Sequence, residues 1–324
     1  MYHQQKDQPG TIDIKGIRLD SSSVGSDRIQ WFVRIQKDDY GALLAEYAQA
    51  IDLDPNNAGA YYNRGAIYLG LGNYHAALGD YNRAIELDPE NAGAYHNRGA
   101  VYMALGDYQA ALADYHRAIE LNPNNAVAYN SRGAAIYQIC QTQGEIETQA
   151  QKALADYNEA IRLSPHYASA YNNRGNARAL VRDYQGAIAD YNEVIALNPN
   201  EPQAYYNRGI IHYLIGEQLN AIADFNQAIA LNPNYAEAYN NRGIVLAEMT
   251  DCSPAITDYN KAIEINPLYA DAYYNRAHCR CAFEDYQAVI DDFQTAAKLY
   301  LEQGINDDYQ RALDNIKKLE QLDK

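Results

Sequence analysis

Three columns of polar side chains recur along the 324-residue sequence at spacings that let them act together. Arg64, Arg98, Arg132, Arg174, Arg208, Arg242 and Arg276 form the first column. Asp80, Asp114, Asp156, Asp190, Asp224, Asp258 and Asp292 form the second, one acid following each arginine. Asn63, Asn97, Asn173, Asn207, Asn241 and Asn275 form the third, each immediately before an arginine, with Ser131 in the one remaining place. A half-buried guanidinium without a partner costs several kcal/mol. The matched acids therefore predict a repeated structural Arg–Asp ion pair, made within one unit or between neighbours. The rival is a basic stripe for an acidic ligand, which equal numbers of acids would cancel. An asparagine amide both donates and accepts. One per unit makes a ladder suited to the backbone of an extended peptide of any sequence, or a row of bonds to the next unit that fixes the stacking angle, or both.

The elements that hold these columns repeat with them. Ala60-Tyr61-Tyr62-Asn63-Arg64-Gly65 returns as Ala94-Tyr95-His96-Asn97-Arg98-Gly99, and again at Tyr171, Tyr205 and Tyr239. A period near 34 residues overrides any domain count drawn from length. The prolines Pro55, Pro89, Pro123, Pro165, Pro199, Pro233 and Pro267 set the register. The units are 24–57 (degenerate), 58–91, 92–125, 126–167, 168–201, 202–235, 236–269 and 270–303. In 58–91, Tyr61, Arg64, Gly65 and Tyr68 share one helical face. Gly72-Asn73 breaks the pattern, and Ala77, Tyr81, Ala84 and Leu87 share a second face. Asp88-Pro89 ends the second helix, because a residue before proline is pushed out of the α region. Each unit is thus a helix–turn–helix, with small residues at Gly65, Ala77 and Ala84 admitting close approach.

Tyr61, Gly65, Tyr68, Ala77, Tyr81, Ala84 and Pro89 resemble the motif of the tetratricopeptide repeat (TPR) family, here in an Asn-Arg-Gly type of repeat. The resemblance covers about residues 38 to 303. It implies an all-α, right-handed superhelical α-solenoid of about eight helix–turn–helix TPR units with a C-terminal capping helix. It also implies that the face carrying the asparagines lines a concave, protein-binding groove. On that reading Tyr62, Tyr206, Tyr213 and Tyr274 join the asparagines as groove residues, giving rigid contact area with a hydrogen-bonding tip. The Lys/Arg/Asn carboxylate clamp of some TPR co-chaperones is absent.

Departures from the motif mark the ends and one insertion. Residues 1–23 form a polar N-terminal arm. Within it, Thr11 to Asp20 alternates apolar and polar, a strand signal with a turn at Lys15-Gly16. A lone hairpin is marginal in water, so the arm is expected to be loose unless it docks. Trp31 stands where glycine should be, so Asp27 to Lys37 reads as an N-terminal cap. Residues 304–324 read as an amphipathic capping helix with Tyr309, Ala312, Leu313, Ile316 and Leu319 on one face. The fourth unit carries eight extra residues around Gln138 to Gln151, close to two helical turns. They are either tolerated growth or a protrusion that meets a partner.

Bulk properties narrow the function classes. The chain has 26 basic and 42 acidic residues, a net charge of −16. That disfavours nucleic acid and anionic membranes and favours a neutral or basic protein or peptide partner. No apolar run is long enough to cross a bilayer, so direct membrane insertion is not expected. No metal-ligand spacing, nucleophile elbow or phosphate loop occurs, so no metal, cofactor or enzyme activity is expected. Cys140, Cys252, Cys279 and Cys281 read as reduced packing or surface residues, which points to a cytoplasmic setting. The expected function is a non-catalytic interaction adaptor or assembly scaffold. The alternatives are a self-assembling structural module, which would be a homo-oligomer, and an assembly or regulatory factor for a larger enzyme or membrane complex.

Overall fold

The computed structural model describes residues 11–14, 17–20, 40–143, 146–250, 252–283 and 286–322. The expected N-terminal cap around Trp31 lies outside them. The chain divides into two compact units, Ser21–Glu193, and Met1–Asp20 with Val194–Lys324. The first holds α1 (Tyr40–Leu53), α2 (Ala58–Gly70), α3 (Tyr74–Leu87), α4 (Ala92–Leu105), α5 (Tyr108–Leu121), α6 (Ala126–Gln143), α7 (Ile146–Leu163) and α8 (Ala168–Leu180). Helix α9 (Tyr184–Leu197) spans the division. The second holds β1 (Thr11–Ile14), β2 (Ile17–Asp20), α10 (Pro202–Leu214), α11 (Gln218–Leu231), α12 (Ala236–Met249), α13 (Ser253–Ile265), α14 (Ala270–Arg280), α15 (Tyr286–Gln303) and α16 (Asn306–Leu322).

Local chemistry sets these boundaries. Asn57, Asn73, Asn91 and Asp107 each precede a helix, and their side chains accept from the backbone N–H three residues on. Each such cap contributes about 1 kcal/mol. Gly72, Gly106 and Gly216 take left-handed φ between the two helices of their repeats, which only glycine does at no steric cost. Arg182 holds the matching place in the fifth repeat at φ 62°.

In the first unit, α2 and α3, α4 and α5, and α6 and α7 pair within repeats, and α3 meets α4, α5 meets α6, and α7 meets α8. First helices also touch one another, α2 to α4, α4 to α6 and α6 to α8. The second unit follows the same scheme, with α10 touching α12 and α12 touching α14. The first helices therefore make an inner layer and the second helices an outer one. Both helices of the fourth repeat are long, 18 residues each against 13 or 14 in the repeats before it. The extra residues thus extend α6 and α7 by about one turn each.

Between layers, a glycine of the first helix meets a ring of the second. Tyr81 lies over Gly65, Tyr115 over Gly99, Tyr157 over Gly133, Tyr191 over Gly175, Phe225 over Gly209 and Tyr259 over Gly243. All six rings are buried. In the last repeat Ala277 and Phe293 occupy the same places, and Leu313, Ile316 and Leu319 of α16 pack against them. Tyr309 of α16 packs beside Leu299 and Tyr300. The amphipathic terminal helix thus covers the apolar end of the array.

The strand signal over Thr11 to Asp20 takes the form of an antiparallel ribbon, β1 and β2 pairing Ile12 with Leu19 and Ile14 with Ile17. One expectation needs correction: not all four cysteines are reduced, because Cys252 and Cys279 form a disulfide with a Cα–Cα distance of 5.2 Å. Cys252 precedes α13, and Cys279 is buried in α14 of the next repeat, beside Ala255 and Tyr259. The equivalent place between the second and third repeats is apolar, with Tyr74 packed against the cluster of Ala77, Tyr81 and Val101. The 27-residue separation hid the pair, since it joins a turn of one repeat to a first helix of the next. The cytoplasmic expectation loses this footing. Among the described residues, no helix is long and apolar enough to cross a membrane.

Closing a loop of this length stabilises by about 3 kcal/mol in the chain-entropy account. Reductant is therefore expected to lower the urea midpoint of the protein, and to leave that of Cys252→Ser unmoved. Equal midpoints with and without reductant in the natural chain would refute the cross-link.

Candidate functional site

Each arginine of the first column grips the aspartate of its own repeat with two parallel hydrogen bonds. Arginine Nη2 stands 2.6–2.7 Å from aspartate Oδ1 in all seven pairs. Nε donates to Oδ2 at 2.7–3.0 Å. The seven carboxylates are buried, and this fork-on-fork geometry is what a planar guanidinium satisfies and lysine does not. Asp190 also receives Arg178 at 2.8 Å, and Asp292 receives Arg280 at 2.8 Å. Burial pushes the Asp190 carboxyl up, against the pull of the Arg174 and Arg178 guanidinia.

The guanidinium has two further contacts that sequence reasoning did not foresee. Its carbon sits 5.3–5.7 Å from the ring centre of the tyrosine three residues earlier, from Tyr61 to Tyr273. The Tyr-x-x-Arg spacing was the available signal, since residues three apart are neighbours on a helix. The remaining nitrogen reaches the preceding repeat. Arg98 Nη1 donates to Asn82 Oδ1, Arg174 to Asn158, Arg242 to Asn226 and Arg276 to Asn260 at 2.6–2.7 Å. Arg132 meets His116 Nδ1 at 2.9 Å. Burial and the Arg132 guanidinium hold that imidazole below its ordinary range, which suits it to accept.

The asparagine column runs along the seam between successive first helices. Asn97 Nδ2 donates to Tyr62 Oη at 3.2 Å and Asn173 Nδ2 to Asn130 Oδ1 at 3.0 Å. Asn241 donates to Tyr206 Oη at 2.9 Å and Asn275 to Asn240 Oδ1 at 3.0 Å. The donor is always the residue before the arginine, and the acceptor is the residue before the equivalent position one repeat earlier. Helix α16 continues the seam, Asn315 Nδ2 donating to Tyr274 Oη at 3.2 Å.

Burial divides the expected groove residues into two groups. Asn173, Asn207, Asn241 and Tyr206 are at most 1% exposed. As placed, they have no surface to offer a ligand, which narrows the expected groove set. The Tyr206 ring lies 4.8 Å from Tyr235 and 5.9 Å from Phe225. Asn63, Asn97 and Asn275 are half-buried, with Tyr62, Tyr213 and Tyr274. Tyr213 Oη donates to Glu248 at 2.5 Å. Tyr274 packs against His278, Phe293 and Tyr300.

The recurrent pairing of helices, the glycine–ring contact and the proline register all follow one repeat design. The family description Tetratricopeptide repeat matches residues 58–91 and 92–125, and the description TPR repeat matches 33–72, 149–180, 183–216, 213–249 and 253–279. The chain belongs to the tetratricopeptide repeat family. Among solved structures, the TPR array is similar to a tetratricopeptide repeat protein from Parabacteroides merdae. That likeness has 21% identity and a TM-score of 0.62, and covers 79% of this chain and 98% of that one. It is also similar to a chain of the APC/C hetero-tetramer Cut9–Hcn1, at 17% identity and a TM-score of 0.61, covering 90% of this chain and 55% of that one. At these identities the likeness is one of fold. No curated protein matches the TPR chain.

Proposed function

We propose that this TPR protein is a non-catalytic interaction scaffold whose inner layer of first helices holds an extended segment of a protein partner. The half-exposed strip on α2 and α4 carries the reading. There Tyr62, Asn63, His96, Asn97, Ala100 and Met103 remain accessible on the inner layer. The arginines of the same helices are turned to their aspartates. Such a strip offers aromatic, apolar and amide contacts without a positive charge. The net charge of −16 disfavours acidic segments. A second half-exposed strip, with Ile244, Tyr274 and Asn275, lies on α12 and α14. The expected partner is a neutral or basic peptide segment, and the family's general role in protein interaction supports this.

Selection from a displayed random-peptide library on the immobilised protein provides the test. Enriched peptides are expected to be poor in Asp and Glu. Ala100→Glu with Met103→Glu is expected to weaken them about tenfold or more, as loss of a central contact does. The thermal midpoint should stay within a few degrees. If no peptide is enriched, or if the two substitutions leave affinity untouched, the inner strip is not the binding face.

A further inference from the structure

The turn inside a repeat is held at two places. Gly72, Gly106, Arg182 and Gly216 take left-handed φ at the first. The next backbone N–H then returns to the first helix: Asn73 to Tyr68, Asp107 to Tyr102, Asp183 to Arg178 and Glu217 to His212, at 2.8–2.9 Å. A ring follows at Tyr74, Tyr108 and Tyr184. The seventh unit has neither device. Thr250 stands in the glycine's place at φ −136°, and Cys252 stands in the tyrosine's. Cys279, its disulfide partner, holds in the eighth unit the place that Val101 holds in the third. A covalent link thus occupies the positions of Tyr74 and Val101.

This seam also carries an accessible part of the inner layer. Ile244 and Ala247 of α12 hold the places of Ala100 and Met103, and both are half-buried. They pack against the cluster of Ala255, Tyr259 and Cys279, as Cys252 does. Tyr274 and Asn275 of α14 are half-buried on the same layer, and Asn275 Nδ2 donates to Asn240 Oδ1 of α12. Cys252 is itself half-buried, so its sulfur is open to a small thiol, while Cys279 is 3% exposed.

We propose that Cys252–Cys279 is a thiol–disulfide switch controlling partner binding on the inner strip of α12 and α14. Cross-linked, the strip is held ready; reduced, it is loosened and binds more weakly. This rests on the reading of the inner layer as a peptide-binding face and adds its regulation. The reductant is a dithiol. One of its thiolates attacks the Cys252 sulfur and displaces the Cys279 thiolate, which takes up a proton. Its second thiol then closes on the first and releases Cys252. Two electrons and two protons pass to the chain, and the dithiol leaves as a cyclic disulfide. The opened turn keeps neither a left-handed residue nor a ring, so local opening at the seam becomes easier. A face that must be ordered on binding holds its ligand less tightly than one already ordered.

Peptides selected from a displayed library on the oxidised full chain are the probes. Two variants that charge the strip, Ala247→Glu and His278→Glu, sort them, each checked for folding by circular dichroism. Peptides lost in either folded variant use the α12–α14 strip, and those lost in Ala100→Glu/Met103→Glu use the α2–α4 strip. By fluorescence anisotropy, the first group is expected to bind the oxidised chain about fivefold or more tightly than the chain in dithiothreitol, the lower end of ordinary coupling between sites. The second group is expected to bind both states equally. Cys252→Ser is expected to hold the first group at the weaker level with or without dithiothreitol. Amide hydrogen exchange of the free chain should quicken around Ile244 and Cys279 on reduction, and stay unchanged in α2 to α5. Equal affinity of the first group in the two states, equal exchange, or a reductant effect that persists in Cys252→Ser overturns the switch and leaves the groove reading standing. If no peptide depends on Ala247 or His278, the α12–α14 strip is not a binding face and the proposal falls with that reading.

Discussion

Valine at Gly175 is expected to cost about 3 kcal/mol of unfolding free energy, the upper part of the range for overpacking a closed core. A Cβ added there would stand 2.8 Å from Cε1 of Tyr191, and that ring is 0% exposed. Neither the ring nor the α8 backbone has room to retreat. Glycine is otherwise a poor helix residue, so its presence there must be repaid by this contact. Gly79 supplies the contrast. It sits exposed in α3, and an added Cβ there meets nothing within 4 Å. Gly79→Ala is expected to stabilise by up to about 1 kcal/mol through helix propensity alone. Urea denaturation followed by circular dichroism reads both. Loss at Gly175 with gain at Gly79 supports the ring-over-glycine account, while similar effects at the two sites would remove it.

Removing one acid from the repeated ion pair should be comparably severe. Asp114→Ala leaves the Arg98 guanidinium, with 20% of its side chain exposed, without its counter-charge. The expected cost is about 3 kcal/mol, the low end for breaking a buried pair because the arginine retains some water. Replacing both partners, Arg98→Met with Asp114→Leu, should cost less than the single change, since no uncompensated charge remains. A double-mutant cycle by denaturation checks the order. If Asp114→Ala leaves stability unchanged but ends binding of selected peptides, the arginine column is a ligand-binding stripe and not a structural one.

Much of the fold was legible because it is local. The 34-residue recurrence, the helix-breaking prolines and the glycines at the turn each act within a few residues. The closing helix showed as an apolar stripe from Tyr309 to Leu319. A column of seven arginines matched by seven aspartates could also be read as paired, since a charge near a core needs a counter-charge. Whether a pair would join one repeat or two could not be read, since each arginine from Arg98 onward stands between the aspartate of its own repeat and another 18 residues earlier in the repeat before.

The rest depended on which faces meet. The sequence by itself determined the repeat, the helix pairs and the need to neutralise the arginines. Only the tertiary structure decided that aspartate comes from the same repeat while an amide or imidazole comes from the one before. It decided that the asparagine column is spent partly on the seam, leaving Asn97 half-buried and Asn241 buried at the same repeat position. It decided, too, that Cys252 and Cys279 come together, and that β2 lies against α10. The reason is common to all four. A helix residue's partner across a repeat boundary is fixed by the stacking of whole helices, to which many side chains contribute. No short stretch of sequence records the result.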